Sequence, residues 1–591
     1  MSVHRVGQPC RNFNILGSTT LIDPRDNREK VVLSNFAAGA TGNLILIDPQ
    51  TGDGESIPLP GDEGAWALLN LDDETLLVGT CPRAGYLHRL DLRTRTWAEP
   101  LADPGESYIW NLCRGRDGLV YGGTYPGCVL LRYDPAAHRL DNVGRMSDNP
   151  DNLYSRHVYA VGDAILVECW SAAHHLTLWD MRTQTAQPFG RPGAKVKAVT
   201  AELICTETDG ELDFYGAATL QPIAAAPERL PVEPALPYSG SRHMLALQDG
   251  RIFAVRGQDY YILDPAADGP ESRPPLHSIP TPKPPTRIHT ITVAPGGTVW
   301  GACGFGQTIF SCDPQTGEFW NSGVVCDQGG EVYGMAFAAD RLFLSAYVGG
   351  DHVVYDPAQP WNQVDNANPR TLQPAGPALI RPEARSVIGP DGAFWTGWMA
   401  RYGVYGGGLS RVDVETGAVT VWEDPIPGQA LMSLAADERY LYFTTGGAGN
   451  GLPAKSEPFH FVVWEPAQGL IWQQPFPLGS SLGRVAAVDG RVLVFVDRTV
   501  DQTIQVFDPG RMAWEATVAC AAPCQTLLAL ADGSALAFCD THLWRIDPRQ
   551  GTSTRLGDLP GPVQAAATAP GGAIYFAHLT ELYRLDLPES I

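Results

Sequence analysis

Long apolar runs are missing from this chain of 591 residues. None approaches the roughly 18 residues of a helical membrane span, so none is expected. The opening residues, MSVHRVGQPCRNFN, lack the apolar segment of a secretory signal. Positive charge is scarce, with Lys+Arg 42 against Asp+Glu 65 and a net charge of -23. That balance argues against a general binder of nucleic acid or of anionic membranes, which would need a basic face. A local basic pocket remains open. The 12 cysteines are scattered and form no CxxC pair; Cys520 and Cys524 in CAAPC come nearest. They read as reduced core residues of a cytoplasmic protein. Helical periodicity is absent over any long stretch, so helices should be nearly absent. The sequence also has no Walker loop, no HExxH and no spaced zinc quartet. GSSLG at Gly479 to Gly483 matches GxSxG, but no helix follows to make a nucleophile elbow.

What the chain has in abundance is turns, with Gly 63 and Pro 49. The stretch 108–144 is representative. YIWNLCR is followed by a turn at Arg116-Asp117-Gly118, then LVYGGTY, a Pro-Gly connection, VLLRYD, and a turn at Asp134-Pro135. Short β-rich runs bounded by Gly, Pro and Asp are strands and turns. Four of them in about forty residues make one antiparallel sheet of the size of a propeller blade.

The aspartate that closes the third strand tracks this unit along the chain. It recurs at Asp48, Asp91, Asp134, Asp180, Asp213, Asp264, Asp313, Asp356, Asp413, Asp508, Asp547 and Asp586, with Glu465 in the same place once. A period near forty predicts an all-β fold of about 13 four-stranded blades, too many for one ring of roughly four to eight. Two tandem β-propellers are expected: a first of about six blades over 1–275, a Pro-rich connection over 276–286, and a second of about seven blades over 287–591. The last repeat ends too early for a fourth strand, and an unpaired edge must be covered. The N-terminal residues are one candidate to complete it, which would tie the two rings together.

The hxDPxTG turns and the hairpins APGGTVW, GPDGAFW and APGGAIY resemble the broad YVTN, quinoprotein and streptogramin-lyase-like propeller superfamily. The resemblance covers nearly the whole chain and implies the fold. That superfamily includes polysaccharide lyases, small-ester hydrolases, cofactor-dependent dehydrogenases and pure binding scaffolds. The tryptophan-docking pattern of quinoprotein dehydrogenases is missing, and no bound cofactor is expected. The one metal candidate is the loop SDNPDN, Ser147 to Asn152, whose oxygens suit calcium.

Antiparallel order puts the Gly- and Asp-rich hairpins on one face of each ring. The opposite face, with the starts of the innermost strands, is the candidate functional surface. Its polar inventory includes Trp110, Asn111, Glu331, Arg484, Gln525 and Gln564. Arg and His also recur close together in YSRHVY (Arg156, His157), SGSRHML (Arg242, His243) and TRIHTI (Arg287, His289). Two consecutive long loops in the second ring, GWMARYGVYGGG and TTGGAGNGLPAKSEPFH, would form a binding wall.

Aromatic residues with Arg and Lys suit stacking on a sugar and gripping a carboxylate. The leading function is therefore carbohydrate-directed: β-elimination on uronate-containing saccharides. His289, Tyr333, Tyr402 and His460 are the candidate acids and bases. Arg287, Arg385, Trp398, Arg401, Tyr405, Lys455, Tyr347 and His352 are the candidate substrate contacts. The alternative is a non-catalytic tandem-propeller scaffold that binds a protein partner, with large exposed apolar patches as its mark.

Overall fold

The computed structural model describes residues 1–224, 230–231, 236–267, 272–498, 501–520 and 522–587, and its only regular elements are β-strands. No helix long and apolar enough to cross a membrane occurs among them. Among the described residues the strands form thirteen antiparallel sheets, nearly all of four strands paired in chain order. The stretch 108–144 is one of them: Tyr108–Arg114, Val120–Tyr125, Val129–Asp134 and Arg139–Arg145. Middle strands are covered on both faces by neighbouring sheets, so they read as continuous apolar runs rather than alternating ones. Leu76, Leu77 and Val78, and the run Val492 to Val496, are all buried.

The chain divides into two compact units, Phe13–Pro282 and Met1–Asn12 with Lys283–Ile591. The smaller unit holds six sheets and the larger seven. In the larger unit each sheet shares a buried apolar cluster with the next. The last also packs on the first, through Tyr575, Ala577 and Leu582 against Ile288, Ile291 and Phe310. In the smaller unit Val31 and Ile45 of the first sheet pack on Phe253 and Val255 of the last. Residues 225–229 and 232–235, between its fifth and sixth sheets, lie outside the described residues. The molecule is a tandem β-propeller.

At both ends of the chain the edges are covered. Ser2–Gly7 pairs with Glu581–Asp586 and makes the fourth strand of the sheet Ala565–Thr568, Ile574–His578, Glu581–Asp586. The Pro-rich stretch expected to be a bare connection also contributes: His277–Ser278 pairs with Asp259–Leu263 as the outermost strand of the smaller unit's last sheet. Proline is tolerated beside such an edge, where one side needs no ladder donors.

In the loop read as a calcium candidate, backbone carbonyls converge on a guanidinium. Arg145 donates to the carbonyls of Ser147 (2.9 Å), Asn149 (2.6 Å) and Asn152 (2.7 Å). The Asn152 amide is spent on Ala173 O and on the backbone N–H groups of Ala172 and Ala173.

Sheets approach closely where glycine permits it. A Cβ at Gly123 would stand 1.9 Å from the carbonyl oxygen of Ser155 on the next innermost strand. Ser155 Oγ meanwhile accepts from Thr124 N at 2.7 Å. Gly123→Ala must therefore push two sheets apart, and we expect it to lower stability by ~2–4 kcal/mol. Chemical denaturation checks this; a midpoint equal to that of the native sequence would show that the junction yields.

Candidate functional site

Innermost strands in the larger unit share one irregularity. In Ile288–Val293, Val332–Ala338, Ala430–Ala436, Ser480–Val488 and Cys524–Ala529 the register slips near the N-terminal end. The residues skipped by the ladder are His289, Tyr333, Met432, Gly483 with Arg484, and Gln525. A bulge leaves its extra residue unpaired and re-aims the side chain. Four of these strands supply skipped residues to a cavity of about 420 Å³, together with Arg287, Glu383, Arg385 and Gln564.

The third sheet supplies its part differently. Pro382 has no N–H to donate, and the innermost strand is broken there into Leu379–Arg381 and Ser386–Ile388, which both pair with Phe394–Ala400. Arg385, in the gap, has φ 65°. Its Nη2 donates to Gln564 O at 2.6 Å and to His289 O at 3.3 Å. Arg381 turns toward the aromatic wall. Its Nη1 donates to Tyr333 Oη (2.8 Å), its Nε to Asn450 Oδ1 (2.7 Å), and its guanidinium lies 4.0 Å from the ring centre of Tyr347. Tyr347 and Tyr402 share a hydroxyl hydrogen bond of 2.6 Å. His289 joins the two halves, its ring edge-on to Tyr333 at 4.4 Å.

Electrostatics set this place apart from the acidic chain around it. Arg287, Arg381, Arg385 and Arg484 converge here, and among the described residues none forms a contact ion pair with a carboxylate. Arg484 Nε donates to Gln525 O at 2.9 Å. Burial, and then the charge of Arg484, push the Arg385 guanidinium down to about 9. Burial pushes His289 down to about 3, and all four guanidiniums add to the effect. The imidazole is therefore neutral, and its Nε2 is buried without a hydrogen-bond partner. Glu331, 4% exposed, is pushed up to about 7 by burial, against the pull of Arg381. Burial also raises the Tyr333 hydroxyl, which stays protonated.

The other expected site residues fall elsewhere. Trp398 and His352 are core: they are 0% and 1% exposed and pack edge-on at 5.3 Å. Both bond Ser410 Oγ, Trp398 from Nε1 at 2.8 Å and His352 through Nε2 at 2.7 Å. The pleat points them away from solvent, and neither has surface to offer a substrate. Arg401 is exposed in the loop after Phe394–Ala400. Tyr405 and Lys455 brace the two inserted loops: Tyr405 donates to Pro453 O at 2.6 Å, and Lys455 lies 5.0 Å from the Tyr405 ring centre and pairs with Glu457. The inserted loop's use to the site is Asn450, which carries Arg381. His460 bonds Gln429 Oε1 at 3.2 Å and does not line the cavity. No group of three His, Cys, Asp or Glu side chains is placed to hold a metal among the described residues.

No protein family matches the chain, and no curated protein does. Solved structures similar to it are propellers. Virginiamycin B lyase from Staphylococcus aureus, in a catalytically inactive form with quinupristin, is 12% identical over 51% of this chain and 95% of its own, at a TM-score of 0.39. A streptogramin B lyase is 14% identical over 60% of this chain and 96% of its own, at 0.28. The tricorn protease is 11% identical over 93% of this chain and 58% of its own, at 0.32. The likeness is one of fold alone.

Proposed function

We propose that the larger unit binds a small carboxylate-bearing saccharide in this cavity and acts on it by β-elimination. The observation that carries the reading is the convergence of four guanidiniums on a neutral, unpartnered imidazole. Guanidiniums held by neutral carbonyl and hydroxyl partners keep their charge for a ligand, and their fork matches a carboxylate. In the reaction the Arg287 and Arg385 guanidiniums hold the carboxylate. His289 takes the proton beside it, the electron pair forms the new C=C bond, and the C–O bond opposite breaks. The leaving oxygen takes a proton from Tyr333, with Glu331 behind it. Charge built up beside the carboxylate is met by the arginines, the donors such a transition state needs. One proton is taken and one given, so the step balances without a cofactor.

Titration of the protein with uronate oligosaccharides, followed by calorimetry and by the ultraviolet absorbance of the unsaturated product, tests this. Arg385→Ala should weaken uronate binding by a factor of about 100, the order expected for a lost buried charge-assisted contact. Arg401→Ala, on the exposed rim, should change it no more than about threefold. Uronate binding unchanged in Arg385→Ala would refute the site. Binding without an absorbance rise would reduce it to a carbohydrate receptor, and a flat response to all saccharides would favour a protein-binding scaffold.

A further inference from the structure

The smaller unit repeats the bulge device with different side chains. Its innermost strands slip between Ala65 and Ala67, between Ile109 and Asn111, and between Ser155 and His157, which releases Trp66, Trp110 and Arg156 from the ladder. The Arg156 guanidinium lies 3.9 Å from the Trp110 ring centre and 4.6 Å from that of Trp66. From Trp110 a chain of rings continues. Tyr108 is at 4.7 Å and Tyr154 at 5.5 Å; Tyr125 lies 5.4 Å from Tyr154, and Trp170 5.3 Å beyond it. All six aromatic residues are half-buried, so their rings are part wall and part surface. Core aromatics in this unit, such as Tyr121 and Tyr261, are closed to solvent altogether.

We propose that Trp66, Tyr108, Trp110, Tyr125, Tyr154 and Trp170 form a binding site for neutral saccharides in the smaller unit, separate from the cationic cavity of the larger. The choice of ligand follows from geometry and charge. A planar aromatic guest needs two parallel faces with a gap between them. Here the rings of Trp66 and Trp110 are inclined at 62°, those of Trp110 and Tyr154 at 69°, and those of Tyr154 and Trp170 at 88°. Trp170 does have a parallel neighbour, His174 at 10°, but the two stack directly on each other. A cationic guest would want the faces of Trp66 and Trp110, which Arg156 covers and whose charge repels it.

For an anion, the charge of Arg156 is opposed by buried carboxylates close by. Glu63 is 7% exposed and paired with Arg83 at 3.2 Å, and Glu168 is 6% exposed and bonded to His157 at 3.0 Å. What remains is an uncharged ring with apolar C–H faces and hydroxyl edges. Tilted aromatic rings suit its puckered faces, and amphipathic Tyr and Trp tips suit its edges.

This inference stands apart from the reading of the larger unit and is tested on the full chain with neutral ligands only. Neutral glucose-, mannose- and galactose-based oligosaccharides are titrated by calorimetry and tryptophan fluorescence, at low and at high salt. At least one should bind, with an affinity that salt does not change, as an uncharged ligand requires. Trp110→Ala should weaken it by about tenfold or more. Trp110→Phe, which keeps a ring and the fold, should recover most of the loss. Trp320→Ala, in the larger unit, should leave binding unchanged while removing its own fluorescence. Absence of binding across the neutral panel overturns the proposal. So does equal binding by Trp110→Ala, or binding confined to anionic sugars and abolished by salt.

Discussion

Acidification to about pH 5 should cost the smaller unit roughly 2 kcal/mol through one residue, His88. His88 is fully buried between Tyr86 and Trp97, with ring centres at 5.4 and 5.5 Å, and neither ring nitrogen has a partner. Burial alone pushes it down to about 4 from the ordinary 6.5. A folded value below the unfolded one means that the unfolded chain takes up the proton first. The stability is therefore complete above the ordinary value and is lost as the pH falls from there toward 4. His352 in the larger unit sits at about 4 for the same reason, eased by its bond to Gln373 O at 2.9 Å. There Asp351, raised to about 6 by burial, works in the opposite sense and blunts the loss. His88→Phe keeps a flat ring between Tyr86 and Trp97 and removes the titrating group. Its stability relative to the native sequence should grow by about 2 kcal/mol between about pH 7 and pH 5. Denaturant midpoints for the two proteins across that range decide it. A gap that stays constant with pH would mean that His88 is not held neutral.

The repeat was legible because one turn recurs and its aspartate has a fixed job. Asp48 Oδ1 accepts from the backbone N–H groups of Gln50 and Thr51, Asp134 Oδ1 from Ala136 and Ala137, and Asp413 Oδ1 from Glu415 and Thr416. Side-chain capping of this kind ties a residue type to a backbone shape, so the spacing of aspartates reports the spacing of blades. The site has no such tie. Whether a residue faces the channel or the core turns on a slip of one position, and a one-residue slip sends a side chain to the other face. His289 and Tyr333 both lie in slips; His289 lines the cavity, and Tyr333 packs behind it, edge-on to its ring. Trp398 and His352 are as polar and aromatic as any binding residue, but sit in regular ladder positions that face the core. Arg381 is not legible as a site residue because Pro382 breaks its strand, which puts the expected start of that strand at Arg385. The sequence RPEAR carries the signal, since proline inside a strand run marks a bulge or a break.

Removing Arg381 should be the most damaging single change at the cavity, at about 3 kcal/mol of stability. Arg381→Met keeps the volume of the stem and deletes the donors to Tyr333 and Asn450, and also the cation nearest Glu331. The first loss is independent of pH. The second is not. Glu331 has a folded value raised from 4.5 to about 7, so its favourable contribution is complete below the unfolded value and is lost as the pH rises through the folded one. Without Arg381 the carboxyl moves higher still, and the folded state resists ionisation over a wider range. The variant should therefore fall further behind the native protein as the solution becomes alkaline, and recover part of the difference near pH ~5. Glu331→Gln abolishes the charge and should raise stability on the alkaline side. Combined with Arg381→Met it should restore about 1–3 kcal/mol of what that change costs alone, a coupling that two independent sites would not show. Midpoints for the four proteins of this cycle, measured at about pH 5 and pH 8.5, separate the two parts. If the double variant is simply the sum of the singles at both values, Glu331 and Arg381 do not share a charge environment, and the acid–base role given to Glu331 falls with it. If the coupling appears only on the alkaline side, the buried carboxyl ionises there against Arg381. It then exchanges its proton near neutrality, as a proton donor behind Tyr333 must.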